Sequence, residues 1–364
     1  MKRESGYRRL NQISFFKGVA ILMILLCHAT QKFDTQAFIH YFPKFCQMGC
    51  QIFFALSAFS LCLSMDRRND SVKDFYKRRL LSIAPGYWIS IAVYVGFGLF
   101  TEYVGGGGQF LGINTEPGSV GANFCLIHGL IPTEANNKVV KGGWYVGTLV
   151  ILYLLFPLMR KLYKKCASKT NGLVFILVVQ VVSFFLLASI NLAYPSLTLS
   201  NNKFLYFSFI NQLPCFCFGI WLYDLYKNGR INSVKHPLVK SITIGIIAFL
   251  LFFSRYHYSF IFEPGVFTIA FSYLFIYSLQ KEKIVDVSDS KLNRIICGMG
   301  DNSYSIYLIH PLIVYTGTYL LNTFYNTGLL VYVLWLPASL FIVYYVSIVY
   351  GVIIEKFQSI IRQE

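Results

Sequence analysis

The chain has 364 residues, 55% hydrophobic, 18% aromatic and only 13% charged, with a net charge of +16 and a mean hydropathy of +0.55. This balance excludes a soluble domain with one large core and describes an all-α, polytopic membrane protein whose first partner is the lipid bilayer. The positive charge excludes nucleic acid by its placement, in short loops between apolar stretches rather than in a basic domain; that is the pattern of topology signals and of some affinity for anionic lipid.

The first stretch, Ser14 to Gln31, is long and apolar enough to span a bilayer. It lacks a small-residue cleavage site and is expected to stay as an uncleaved anchor. Lys17 and His28 are eleven residues apart, which puts them on nearly the same helical face with a rise of about 16 Å. A histidine within a span is costly unless it faces a polar cavity, so His28 is a catalytic candidate. Its imidazole, with a pKa near neutrality, suits it to take a proton from an attacking hydroxyl. A histidine hydrogen-bonded between packed helices is the structural alternative, and for Lys17 the alternative is an interfacial anchor.

Nine further spans follow, at 45–65, 82–102, 144–159, 173–192, 204–226, 240–254, 260–279, 298–320 and 329–353, giving about ten transmembrane helices in one domain over residues 1–364 with no separate soluble part. Twenty-five of the 32 basic residues fall at the two termini and in alternate loops, against six in the opposite loops, with Lys17 inside the first span. That alternation puts both termini in the cytoplasm. The one long connection, Tyr103 to Gly143, opens with the glycine run Gly105 to Gly108 and is expected outside. There it either covers a site or is an ordinary loop with a glycine hinge.

Ahead of the third span, Asp74 to Trp88 reads DFYKRRLLSIAPGYW. Lys77, Arg78 and Arg79 match the geometry of a phosphorylated ligand, although topology alone also explains them. The fourth span opens with Trp144 and Tyr145, which fit an interfacial aromatic belt. With Tyr153 further along the same span, they are the acceptor-site candidates. Gly143 and Gly147 permit close helix packing. In the ninth span, NSYSIYLIHP, Ser303, Tyr307 and His310 share one face, and Pro311 is expected to kink or loosen the helix. Such a polar stripe faces inward and adds three catalytic candidates. The nine cysteines follow neither metal spacing nor a disulfide framework, so no metal is expected.

Five of these segments resemble, in order, the acyltransferase-3 family of bacterial integral membrane acyltransferases, of the glycan O-acetyltransferase type. KGVAILMILLCHA is similar to its first-helix pattern of a basic residue, ten intervening residues and a histidine. GCQIFFALSAFSL, FYKRRLLSIAPGYW, WYVGTLVILYLLFP and SYSIYLIHP resemble its later segments. The resemblance implies a multi-pass protein of the bacterial inner or plasma membrane. It would move an acetyl or other acyl group from cytoplasmic acyl-CoA, with no metal, to an extracytoplasmic sugar hydroxyl of a surface glycan, an exopolysaccharide or a lipid-linked sugar. His28 matches the family's essential histidine, Lys17 its basic residue, and Arg78 and Arg79 its basic run at the donor. Three positions depart from the family: Lys17 replaces arginine, Ala58 replaces glycine, and Leu149 stands where many members carry a glutamate. The competing classes are a transporter or flippase with a buried histidine proton relay, and a membrane scaffold with a degenerate site. Against the transporter, the chain has no inverted repeat and few intramembrane carboxylates.

The charge alternation predicts that a topology reporter fused after Glu364 reads cytoplasmic. An extracytoplasmic signal would invert every loop.

Overall fold

The structure is a computed structural model and describes residues 10–31, 43–68, 71–105, 110–133, 135–168, 171–197, 203–254, 259–281, 285, 290–324 and 329–363. Among these residues the regular structure is helical: α1 (Asn11–Thr30), α2 (Gly49–Arg68), α3 (Val72–Val104), α4 (Pro117–Phe124), α5 (Trp144–Ala167), α6 (Gly172–Ala193), α7 (Phe209–Lys227), α8 (Pro237–Phe253), α9 (Ser259–Gln280), α10 (Lys291–Asp301), α11 (Ser303–Phe324) and α12 (Leu329–Gln363). Eight of the helical segments are long and apolar enough to cross a membrane. Two more complete the ten apolar segments seen in the sequence: α8, shorter but apolar, and α11, whose polar stripe lowers its hydropathy. Gly106 to Gly108 of the glycine run, and the basic residues Lys32, Lys169, Arg255 and Lys283, lie outside the described residues.

The bundle sorts apolar surface by destination. On α2 and α7, inward-facing Phe54, Ala55, Phe59, Cys215, Phe216 and Leu222 are fully buried. On α6, α8 and α12, large residues such as Leu177, Phe185, Ile246, Leu250, Phe341 and Val349 stay exposed, as a lipid-facing surface requires. The helix starts are capped by the expected side chains. Ser71 accepts from the backbone of Asp74, Asn171 from Leu173, and Ser290 from Asn293.

One expected span needs correction. Residues 298–320 are not a single helix, because the chain breaks at Asn302, whose side-chain amide donates back to the Gly298 carbonyl at 3.0 Å. The preceding segment is the amphipathic α10, which lies against α1. The approach is close enough that a Cβ on Gly300 would sit 1.7 Å from the Ser14 carbonyl oxygen, and one on Gly18 would sit 1.9 Å from that of Ile296. Small residues are what allow two membrane helices to approach this closely. α11 continues through Pro311 without ending.

The two ends of the bundle differ in charge. At one end the C-terminal turns of α2, α5 and α7 meet at Asp66, which pairs with Arg160 and accepts from Lys227 at 2.6 Å and from the Tyr223 hydroxyl at 2.7 Å. At the other end, the chain from Leu111 to Gly143 folds back onto α3 and α5. His128 stacks on Tyr87 with ring centroids 5.4 Å apart and donates to the Gly143 carbonyl at 3.0 Å. Tyr87 donates to Asn123 at 2.6 Å, and the Trp88 indole donates to the Phe124 carbonyl at 2.9 Å. Burial lowers the His128 pKa, which keeps the ring neutral. Gly147 is required here, because a Cβ would lie 2.7 Å from the His128 ring nitrogen. The described residues of the long loop are therefore pinned to α3 and α5.

The α1–α10 crossing predicts that Gly300→Val destabilises the protein by about 1–3 kcal/mol through overpacking. An exposed control such as Leu292→Val should shift far less. Thermal unfolding of the detergent-solubilised protein measures both.

Candidate active site

α1 ends and α11 passes its proline at the same depth, which brings His28 and His310 side by side with ring centroids 5.2 Å apart. The two rings are held in different ways, and both arrangements follow from local sequence. Pro311 has no backbone N–H, so the Tyr307 carbonyl four residues earlier loses its helical partner. The His310 ring supplies the replacement. Its Nδ1 lies 2.9 Å from that carbonyl and 3.1 Å from the Ile306 carbonyl. Both are acceptors only, so Nδ1 carries the proton and Nε2 carries the lone pair. That Nε2 is buried without a hydrogen-bond partner on a residue 1% exposed.

His28 is oriented by a triangle. The Tyr315 hydroxyl donates to Gln31 Oε1 at 2.9 Å and lies 2.5 Å from His28 Nδ1, which is 3.1 Å from the same Gln31 oxygen. With the tyrosine proton committed to Gln31, the Nδ1–H of His28 is the donor in the short contact, and its Nε2 is the basic nitrogen. Unlike His310, His28 lines a cavity of about 730 Å³. The walls come from the end of α1, the segment leading into α2, the connection between α4 and α5, the start of α5, the turn before α7, the end of α8 and the start of α9.

The other sequence candidates divide between this cavity and a second one. Tyr307 lines the cavity and donates to the Gly142 carbonyl at 2.6 Å. Trp144 lines it too, stacked on Phe207 at 4.4 Å. Tyr145 packs behind, 5.1 Å from the Tyr307 ring and 4.7 Å from Phe54. Tyr153 lies a further two turns along α5, beside Phe216. Ser303 is buried at the start of α11, about 10 Å of helix away from His310, so the structure separates it from the histidine pair.

Arg78 and Arg79 line the second cavity, of about 590 Å³, with Arg68 from the end of α2, Lys77, Asp74, and Arg362 from the end of α12. Gln358 donates to the Ser82 carbonyl at 3.3 Å and fixes the C-terminal helix against α3 there. Lys17 lines neither cavity; it is half-buried on α1 one residue before the Gly18 crossing. The two cavities share α2, from Cys50 in one to Ser64 in the other. Those fourteen residues correspond to about 21 Å of helix.

A family model described as an acyltransferase domain matches residues 10–354, nearly the whole chain. The chain belongs to the acyltransferase-3 family. It is a multi-pass membrane acyltransferase. No curated protein and no solved structure matches it.

Sequence reasoning missed Tyr315, Gln31, Glu263, Arg68 and Arg362 in this acyltransferase. Gln31 had a visible signal, three residues after His28 on the same helical face. Tyr315 had none, because its partner is on another helix. Tyr315→Phe tests the triangle: it removes the hydroxyl that holds His28 and keeps the ring. The expected result is a kcat loss of about tenfold, smaller than for His28→Ala, with unchanged thermal stability. A loss confined to stability would make the contact purely structural.

Proposed function

We propose that the protein is an O-acyltransferase of the bacterial plasma membrane that carries acetyl, or another short acyl group, from cytoplasmic acyl-CoA to a sugar hydroxyl of a surface glycan, an exopolysaccharide or a lipid-linked sugar on the outer side. The observation that carries this reading is the pairing of two cavities at opposite ends of one bundle, one lined by five cationic side chains and the other by an oriented histidine.

The cationic cavity suits the phosphates of CoA, which guanidinium groups match in charge and geometry. Tyr145 packs on Tyr307 at the wall of the His28 cavity, and Tyr153 packs on Phe216 further along α5. Lys17 is a secondary contact for the donor arm, on the face of α1 that leads to His28. At the outer cavity His28 Nε2 takes the proton of the acceptor hydroxyl as that oxygen bonds to the thioester carbonyl carbon. The tetrahedral species collapses with cleavage of the carbon–sulfur bond. The proton on His28 then passes to the departing thiolate, which leaves as CoA–SH. Tyr315 and Gln31 stabilise the imidazolium formed on the way by accepting from its Nδ1–H. His310, 5.2 Å away, adds a neutral neighbour whose proton is committed to α11.

The test is acyl transfer per folded molecule in vesicles. His28→Ala should lower kcat by about 10²–10⁴-fold, the usual loss for acid–base catalysis, with acetyl-CoA affinity retained. Arg78→Gln with Arg79→Gln should raise the KM for acetyl-CoA and leave kcat near wild type. Lys17→Ala should weaken donor binding, and Lys17→Arg should be tolerated. Full specific activity in well-folded His28→Ala would refute the mechanism.

A further inference from the structure

The positive-inside pattern leaves few cations on the outer side of this protein, and it gives no reason for them to gather at one place. Yet Lys44, Lys138 and Lys203, from three separate connections, all line the cavity that holds His28. All three side chains are exposed, so they sit at its mouth. The first turns of α5 and α9 and the last turns of α1 and α8 all reach this cavity, so the helix dipoles balance and the positive charge at its mouth is that of the lysines. Among the described residues lining it there is one carboxylate, Glu263, and it is buried at 6% exposure, next to the Ser259 hydroxyl. The cavity is therefore cationic at the rim and holds one buried carboxyl group within.

We propose that the acceptor carries an anionic group beside the hydroxyl that is acylated, with the anion held at the mouth by Lys44 and Lys203 and the sugar directed inward. This inference rests on the acyltransferase reading above and names the class of its acceptor. The two ends of the cavity play different parts. The rim attracts phosphate or carboxylate, and the buried Glu263 carboxyl group inside hydrogen-bonds to sugar hydroxyls. An anionic sugar thus enters with its hydroxyls toward His28. The same chemistry arises from two sources, the pyrophosphate of a lipid-linked sugar or a carboxylate on the glycan itself.

The experiment measures binding of inorganic pyrophosphate to the purified full-length protein by calorimetry, for wild type, Lys44→Gln/Lys203→Gln and Lys44→Arg/Lys203→Arg. The basic cavity at the other end contributes equally in all three, so the lysine-dependent component is the quantity read. The glutamine variant should lose about tenfold in affinity for that component, and the arginine variant should keep it. Removing two exposed cations at the other end, Lys164→Gln/Lys165→Gln, should change nothing. Equal loss in that control, or no loss in the glutamine variant, overturns the proposal. Methyl glucuronide and a short-chain prenyl-pyrophosphoryl sugar then separate the sources: lysine-dependent binding of either supports the proposal and names its origin, and binding of neither overturns it. Acetyl-CoA binding by the wild type, run in parallel, tests the parent reading separately. If the donor does not bind but lysine-dependent anion binding persists, the acyltransferase mechanism fails while the anion site stands.

Discussion

The histidine pair depends on a missing hydrogen bond. Within a bilayer a backbone carbonyl without a partner costs several kcal/mol, so the Tyr307 carbonyl that Pro311 leaves unpaired must find a donor. His310 is that donor, and filling the role settles three properties at once: its rotamer, its tautomer, and the position of its bare Nε2 beside His28. The dipeptide His-Pro thus works as one unit. The proline creates the acceptor and the histidine consumes it, which also explains why α11 runs through the proline instead of breaking. The break comes earlier, at Asn302, where α10 must turn aside to lie in the groove of α1.

A second constraint is the distance between the two cavities. In the proposed reaction the donor's phosphates stay at the basic cavity, because they cannot cross the apolar core cheaply, so the donor must be long enough to bridge the bundle. The fold keeps the ends chemically distinct. The Asp66 network ties the C-terminal turns of α2, α5 and α7 at one end, and the His128–Tyr87–Asn123 cluster ties the outer loop at the other. The first holds the end of α2, which lines the basic cavity through Ser64 and Arg68, and the second holds Gly143 beside Gly142 and Trp144, which line the other.

How much of this was legible in the sequence depended on the range of the interaction. Hydropathy found the apolar helices, eight of them long and apolar enough to cross a membrane, because each one reports its own environment. The spacing of Lys17 with His28, and of Ser303, Tyr307 and His310, placed residues on helix faces correctly, since that is a property of one helix. Sharing a face did not mean sharing a site. Ser303 and His310 are on one stripe yet two turns apart in depth, and Lys17 lies under the α10 crossing rather than in the basic cavity. Everything that joins different helices was invisible. Tyr315 meets His28 across 287 positions of sequence, and Arg362 joins Arg68 and Arg78 only because the C-terminal helix returns to α3.

The position of Leu149 shows the same limit from the other side. Read by resemblance alone, a leucine where many relatives carry glutamate removes a carboxylate from the site. In the structure Leu149 is packed into the core of α5 at 6% exposure, and the cavity receives its carboxylate from α9, through Glu263. A group absent from one helix around a cavity can be present on another. A comparison made position by position along one helix cannot see it. The physical question of which side chains face the same cavity can.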